Sequence, residues 1–184
     1  MSTLTIDPNT ADRSERIRSF AYPATTFLIA FELVAGSVWN LLRIEWIDIQ
    51  LAHLGYPDSL AYLLGAWQVG AAVVILAPGF PRAKEWAYAG AFFLWSGAVV
   101  VHLIEGDGIQ SWGFPLTLTI LAVVSWRTRP ADRRLPGAPV EQPTREWTIA
   151  AALLVVLYAV SFLTLPAVED FMHQNAIDLG WITE

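Results

Sequence analysis

Apolar positions along the chain gather into five stretches, each closed by charge, Gly or Pro. The first, Tyr22 to Leu42, runs 21 residues with Glu32 as its one charged position. At about 1.5 Å per residue it reaches about 31 Å, the thickness of a bilayer's hydrocarbon. The second, Ser59 to Ala77, and the third, Trp86 to Ile104, hold no Asp, Glu, Lys or Arg, and the turn Pro78-Gly79-Phe80-Pro81 between them predicts an antiparallel hairpin. The fourth, Ile109 to Trp126, carries Gly113 and Pro115 near its start, where a first-turn proline is tolerated. The fifth, Trp147 to Leu165, is uncharged and is expected to stop before Pro166. In hydrocarbon every backbone N–H and C=O needs a partner within its own segment, so uninterrupted runs of this length predict helices rather than barrel strands. The expected fold is an all-α integral membrane helical bundle of five transmembrane helices.

Charge gives that bundle a direction. Arg13, Arg16, Arg18, Arg82, Lys84, Arg127, Arg129, Arg133, Arg134 and Arg145 fall on alternate connections, and Arg43 is the one base on the others. This asymmetry predicts a cytoplasmic N-terminus and an external C-terminus, with the plasma membrane as the location. Nine carboxylates, from Glu45 to Glu184, fall on the external side, so the net charge of -6 is an outward property. The reading divides the chain into a cytoplasmic arm (1–21), a four-helix membrane domain (22–126), a Pro/Arg-rich cytoplasmic connector (127–146), a fifth transmembrane helix (147–165) and an external acidic tail (166–184). The connector's arginines are expected to meet anionic lipid. A mean hydropathy of +0.46 with only 15% charged residues excludes an ordinary soluble domain, and the acidic total removes the electrostatic reason to expect nucleic acid. The absence of cysteine excludes disulfides and thiolate chemistry.

Polar residues in or beside the apolar runs are the candidate chemistry. Glu32 with Asn40 on one face of the first helix, and Gln68 on the second, form a candidate intramembrane site; a carboxylate at that depth is costly unless partnered, and a hydrogen bond from Glu32 to Gln68 is the structural alternative. Glu85 is expected to cap the third helix and pair with Arg82 or Lys84. His102 and Glu105, three residues apart, and His53 form a candidate outer-face site, with His173 on the same side. Their spacing matches no metal motif, so no metal site is assigned. Trp67, Trp95, Phe92 and Phe93 lie deep enough to line an apolar slot for a quinone head or a lipid tail, with core packing the more frequent role for such rings. No haem, flavin or nucleotide motif is present.

The segments His53-Leu54-Gly55-Tyr56-Pro57, Leu64-Gly65-Ala66-Trp67, Pro78-Gly79-Phe80-Pro81-Arg82, Glu85-Trp86-Ala87-Tyr88-Ala89-Gly90 and Gly97-Ala98 with His102-Leu103 resemble the DoxX-like family of small membrane proteins. The resemblance spans about Tyr22 to Trp126. It implies a DoxX-like four-helix core, here followed by a fifth transmembrane helix, in a family associated with quinone-linked oxidoreductases. The chain departs from the pattern at Gln68 and Leu94, where relatives often carry Lys and Asp. The resemblance implies an accessory or quinone/lipid-interacting membrane component, with a quinone as the cofactor it leaves open. Membrane lipids, a membrane oxidoreductase complex or a second copy of the chain are the partners it suggests. A small-solute carrier using Glu32, Asn40 and Gln68, or an outer-face enzyme using His102 and Glu105, are the alternatives.

Overall fold

The computed structural model describes residues 8–130, 133–135 and 143–183, with side chains from residue 15 onward. Among them are six helices: α1 (Pro8–Leu42), α2 (Glu45–His53), α3 (Leu60–Leu76), α4 (Pro81–Glu105), α5 (Ile109–Thr128) and α6 (Thr144–Asp178). The five longer ones match the five apolar stretches, and no strand occurs among the described residues. Four of them, α1 from Glu15, α4, α5 and α6, are long and apolar enough to cross a membrane. The fifth, α3, has 17 residues, or about 26 Å at the usual rise.

Three boundaries differ from the sequence reading. The N-terminal arm is helical from Pro8, so α1 enters the bundle as one continuous rod rather than after a separate arm. The helix α2 was hidden in a segment sorted by its acids, yet Ile44, Ile47 and Leu51 recur at helical spacing and bury against Ala61. Pro166 does not end α6, which continues to Asp178. Leu165 packs on the Ile44/Ile47/Leu51 cluster and Ala176 is fully buried, so tertiary contact holds the helix beyond its proline. The connector residues 131–132 and 136–142, with Pro136 and Pro139, lie outside the described residues.

The main core joins Ile29, Leu33 and Val34 of α1 to Ala72 and Ile75 of α3, Tyr88, Ala91 and Trp95 of α4, and Leu118 and Ala122 of α5. Only 11% of the apolar window of α6 is buried, and it meets the core through Leu157 and its neighbours. It is thus a peripheral helix on a four-helix centre. Close approach of α1 and α3 depends on Gly65, where a Cβ would stand 2.7 Å from Leu41 Cγ and 3.2 Å from Asn40 Cβ. Gly65→Ala is expected to push the two helices apart and to cost about 1–3 kcal/mol by overpacking, read as a lower unfolding midpoint in detergent. An unchanged midpoint would show that this contact has slack.

Consecutive long helices run in opposite directions, which gathers the connections at two ends. One end holds the helix termini near Arg18, Lys84, Arg129 and Arg133; the other holds α2, the α4–α5 turn and the C-terminus of α6. The first is the basic end of the bundle and the second its acidic end.

Candidate functional site

At the acidic end the helices stop in a repeated way. Gly106, left-handed at φ 79°, ends α4 with a Schellman turn: the Asp107 N–H donates to the His102 carbonyl at 3.0 Å and the Gly106 N–H to Leu103 at 3.3 Å. That fold-back brings the Asp107 carboxylate over the helix it has just left, 2.6 Å from Nδ1 of His102. Gly180 (φ 74°) ends α6 in the same fashion and delivers Trp181. His53, the last residue of α2, reaches Asp107 from the other side, with Nε2 at 3.0 and 3.1 Å from its two oxygens. The Trp181 ring stacks on His53 (4.5 Å, 19°) and on His102 (5.7 Å, 8°), and also meets Trp46 (5.1 Å).

The outcome is an imidazole–carboxylate–imidazole bridge beneath an indole, with His102 1% and Asp107 10% exposed at their side chains. Burial opposes ionisation of Asp107, but the hydrogen bonds from His102 and His53 outweigh it and hold the carboxyl below its usual range. An ionised carboxylate only accepts, so His102 donates from Nδ1 and His53 from Nε2. The assembly fixes the orientation of both rings. His102 and His53, which the sequence singled out, do meet, but through Asp107. Glu105, proposed as the partner of His102, is exposed and takes no hydrogen bond among the described residues. The three-residue spacing puts Glu105 one turn along the helix, whereas the glycine turn carries Asp107 back. Gly106 followed by an acid was the signal for this. His173 is held apart by Glu45 at 3.0 Å. Arg43, the one base at this end, is shared by Asp48 at 3.0 Å and Asp58 at 2.8 Å, which raises its already high pKa, chiefly through Asp48. Among the described residues no group of three His, Asp or Glu side chains is arranged to hold a metal ion.

The mid-bundle polar residues assemble differently from expectation. Asn40 Nδ2 donates to Gln68 Oε1 at 3.1 Å and to the Gly36 carbonyl at 2.8 Å. A Cβ on Gly36 would collide with the Gln68 amide, so that glycine makes room for the pair. Glu32 does not reach Gln68 and takes no hydrogen bond among the described residues; the amide of Gln68 is already engaged by Asn40, about two turns further along α1. Two neutral amides at this depth satisfy each other without a buried charge pair. Leu94 packs partly buried against the core. The supposed aromatic slot does not form, because Trp95 is in the core while Trp67 and Phe93 are 63% and 69% exposed.

At the basic end, Lys84 is fully buried and its Nζ donates to the carbonyls of Val74 (2.7 Å), Ile75 (2.7 Å) and Ala77 (2.6 Å). It therefore caps the C-terminus of α3, where free carbonyls and the negative dipole end favour a cation. Glu85 is not a helix cap: α4 starts at Pro81 after Phe80, with no side-chain cap, and Glu85 lies in the second turn. Its carboxylate takes Arg129 Nη2 at 2.6 Å and Trp126 Nε1 at 2.6 Å, tying α4 to the end of α5. Deeper, Thr26 and Tyr88 both share the Ser125 hydroxyl, at 2.7 and 2.8 Å. A groove of about 330 Å³ opens between α1, α3 and α6, walled by Pro23, Phe27, Ile75, Leu76, Ile149 and Leu153. Its polar edge is Tyr22, whose hydroxyl accepts from Arg133 at 3.1 Å, and Glu146, which Arg133 meets at 3.5 Å.

Long apolar helices packed around the Asn40–Gln68 pair, with bases gathered at one end and acids at the other, define a helical-bundle membrane protein. The model of the DoxX-like family matches residues 24–125, over half of the chain, and the protein belongs to that family. The match covers α1 from residue 24, all of α2, α3 and α4, and most of α5; α6 lies beyond it. No curated protein and no solved structure matches the chain.

Proposed function

We propose that this DoxX-like protein is an accessory membrane component that binds a lipid- or quinone-type amphiphile without transforming it. The observation that carries this reading is the groove between α1, α3 and α6. Its volume of about 330 Å³ is at the small end of ligand sites. Its walls are apolar, while Tyr22, Arg133 and Glu146 offer donors and acceptors at one edge, the pairing of surfaces that a ring or headgroup with an apolar tail requires. All five long helices cross the plasma membrane in this reading, α3 included, with the basic end in the cytoplasm; the ten-to-one division of Lys and Arg supports it. The peripheral α6 is then an appended fifth span that closes the groove against the four-helix unit. Association with a quinone-linked oxidoreductase follows from the family resemblance rather than from geometry.

The test is isolation from native membranes in polymer-bounded discs, followed by mass spectrometry of the extracted amphiphiles and co-isolated proteins. Ala150→Trp adds an indole to the groove from α6, where little core packing is at stake. This variant is expected to fold and to lose about tenfold or more of the bound amphiphile, the equivalent of about 1.4 kcal/mol of binding. The same amphiphile recovered at wild-type level from folded Ala150→Trp would refute the reading.

A further inference from the structure

A second cavity at the basic end, of about 290 Å³, is lined by Arg18, Arg127, Arg129 and Arg134 with Glu85, Trp126 and Leu135. Four guanidiniums face one carboxylate there, and that carboxylate is already committed to Arg129 and Trp126. Arg129 is 3% exposed and is placed rigidly. Its Nε donates to the Trp126 carbonyl at 3.0 Å, its Nη2 to Glu85, and its plane lies over the rings of Tyr88 (5.0 Å) and Trp126 (5.7 Å). Its Nη1 is buried and has no hydrogen-bond partner among the described residues. Arg134 repeats the pattern: Nη2 donates to the Arg127 carbonyl at 2.5 Å, while the buried Nε has no partner among the described residues. Burial first, and then repulsion by Arg18, Arg129 and Arg127, pulls the pKa of Arg134 below its ordinary value.

A folded protein that brings four like charges together and leaves two of their donors dry carries a cost that an anion would relieve. We infer that this cavity is a binding site for a phosphate-bearing anion, the headgroup of an anionic phospholipid or a soluble phosphate ester. Phosphate rather than a lone carboxylate is the better match. Its several oxygens can take the Nη1 of Arg129 and the Nε of Arg134 together with the two rim arginines, each through a charge-assisted hydrogen bond. The site involves α1, α4 and α5 and the residues after α5. It is distinct from the amphiphile groove, so either can fail without the other.

The experiment uses the full chain in nanodiscs of phosphatidylcholine doped with phosphatidylglycerol, with the lipid retained on the protein read by native mass spectrometry. A parallel arm adds inorganic phosphate to pure phosphatidylcholine discs and reads the unfolding midpoint. Arg18 and Arg127 are exposed on the rim, so the double variant R18Q/R127Q keeps the Arg129–Glu85 contact. R82Q/R145Q removes the same charge from exposed positions at the same end but outside the cavity. Wild type and R82Q/R145Q are expected to retain phosphatidylglycerol alike, and R18Q/R127Q about thirtyfold less, the equivalent of the about 2 kcal/mol that two basic side chains near a headgroup contribute. If phosphate raises the midpoint of wild type but not of R18Q/R127Q, while phosphatidylglycerol is not retained, the ligand is a soluble phosphate. Equal loss in both double variants would reduce the effect to overall charge and overturn the site, as would retention unchanged in both. Arg134→Gln, which removes the unpaired Nε outright, stands in if R18Q/R127Q fails to fold.

Discussion

Lys84→Met is expected to lower the stability of the bundle by about 3–5 kcal/mol, since three buried carbonyls lose their donor at about 1–3 kcal/mol each before any relaxation. The methionine fills much the same volume but has no donor. The carbonyls of Val74, Ile75 and Ala77 would then stay desolvated and unpaired at the negative end of α3, each bond having been charge-assisted. Because Lys84 sits one turn into α4, the same change loosens the tight turn in which Gly79 and Phe80 both have positive φ, 76° and 53°. The hairpin of α3 and α4 should be the first region to exchange amide protons. Denaturation in detergent followed by far-ultraviolet circular dichroism measures the loss. A change below about 1 kcal/mol would mean that water or a rearranged backbone replaces the ammonium.

Asp107→Ala should cost about 2–4 kcal/mol, because two imidazoles lose their shared acceptor in a place where His102 has almost no access to water. The acidic end would then come apart as a unit: α2 is held there by His53, the α4–α5 turn by Asp107, and the tail of α6 by Trp181 stacked on both rings. Acid dependence gives a sharper readout. The folded pKa of Asp107 lies below its unfolded value of about 3.9, so the unfolded chain binds the proton more readily. Its contribution is complete above that unfolded value and disappears as pH falls through the lower folded one. Thermal unfolding between pH 6 and pH 3 is expected to show a decline in wild type that is shallower in Asp107→Asn. Identical slopes would place the acid sensitivity on other carboxylates.

The cluster also shows where a linear reading of chemistry stops. His102 and Glu105 looked paired because three residues make most of a helical turn. A left-handed glycine after the helix brought the fifth residue on, rather than the third, to the imidazole. His53 is 54 residues from Asp107 and Trp181 is 79 from His102, separations at which no spacing rule speaks. Sequence neighbours likewise point Glu85 toward Arg82 and Lys84. Its partners came from the end of α5, and the lysine turned inward to carbonyls that no side-chain pattern reveals.

What the chain alone determined is the class of fold and its division into ends. Runs of about 20 apolar residues must close their own backbone hydrogen bonds, so helix content, the antiparallel hairpin and the sorting of bases from acids all follow from local composition. The tertiary structure decided which polar groups meet. It drew α6 through Pro166 because Leu165 and Ala176 find buried contacts, matched Asn40 to Gln68 instead of Glu32, and collected Arg18, Arg127, Arg129 and Arg134 around one cavity. Hydrogen bonds act over about 3 Å and depend on the angle at which a helix ends, and a one-residue change of helix end redirects a side chain by about 100°. Such angles are fixed only when all the helices are packed together.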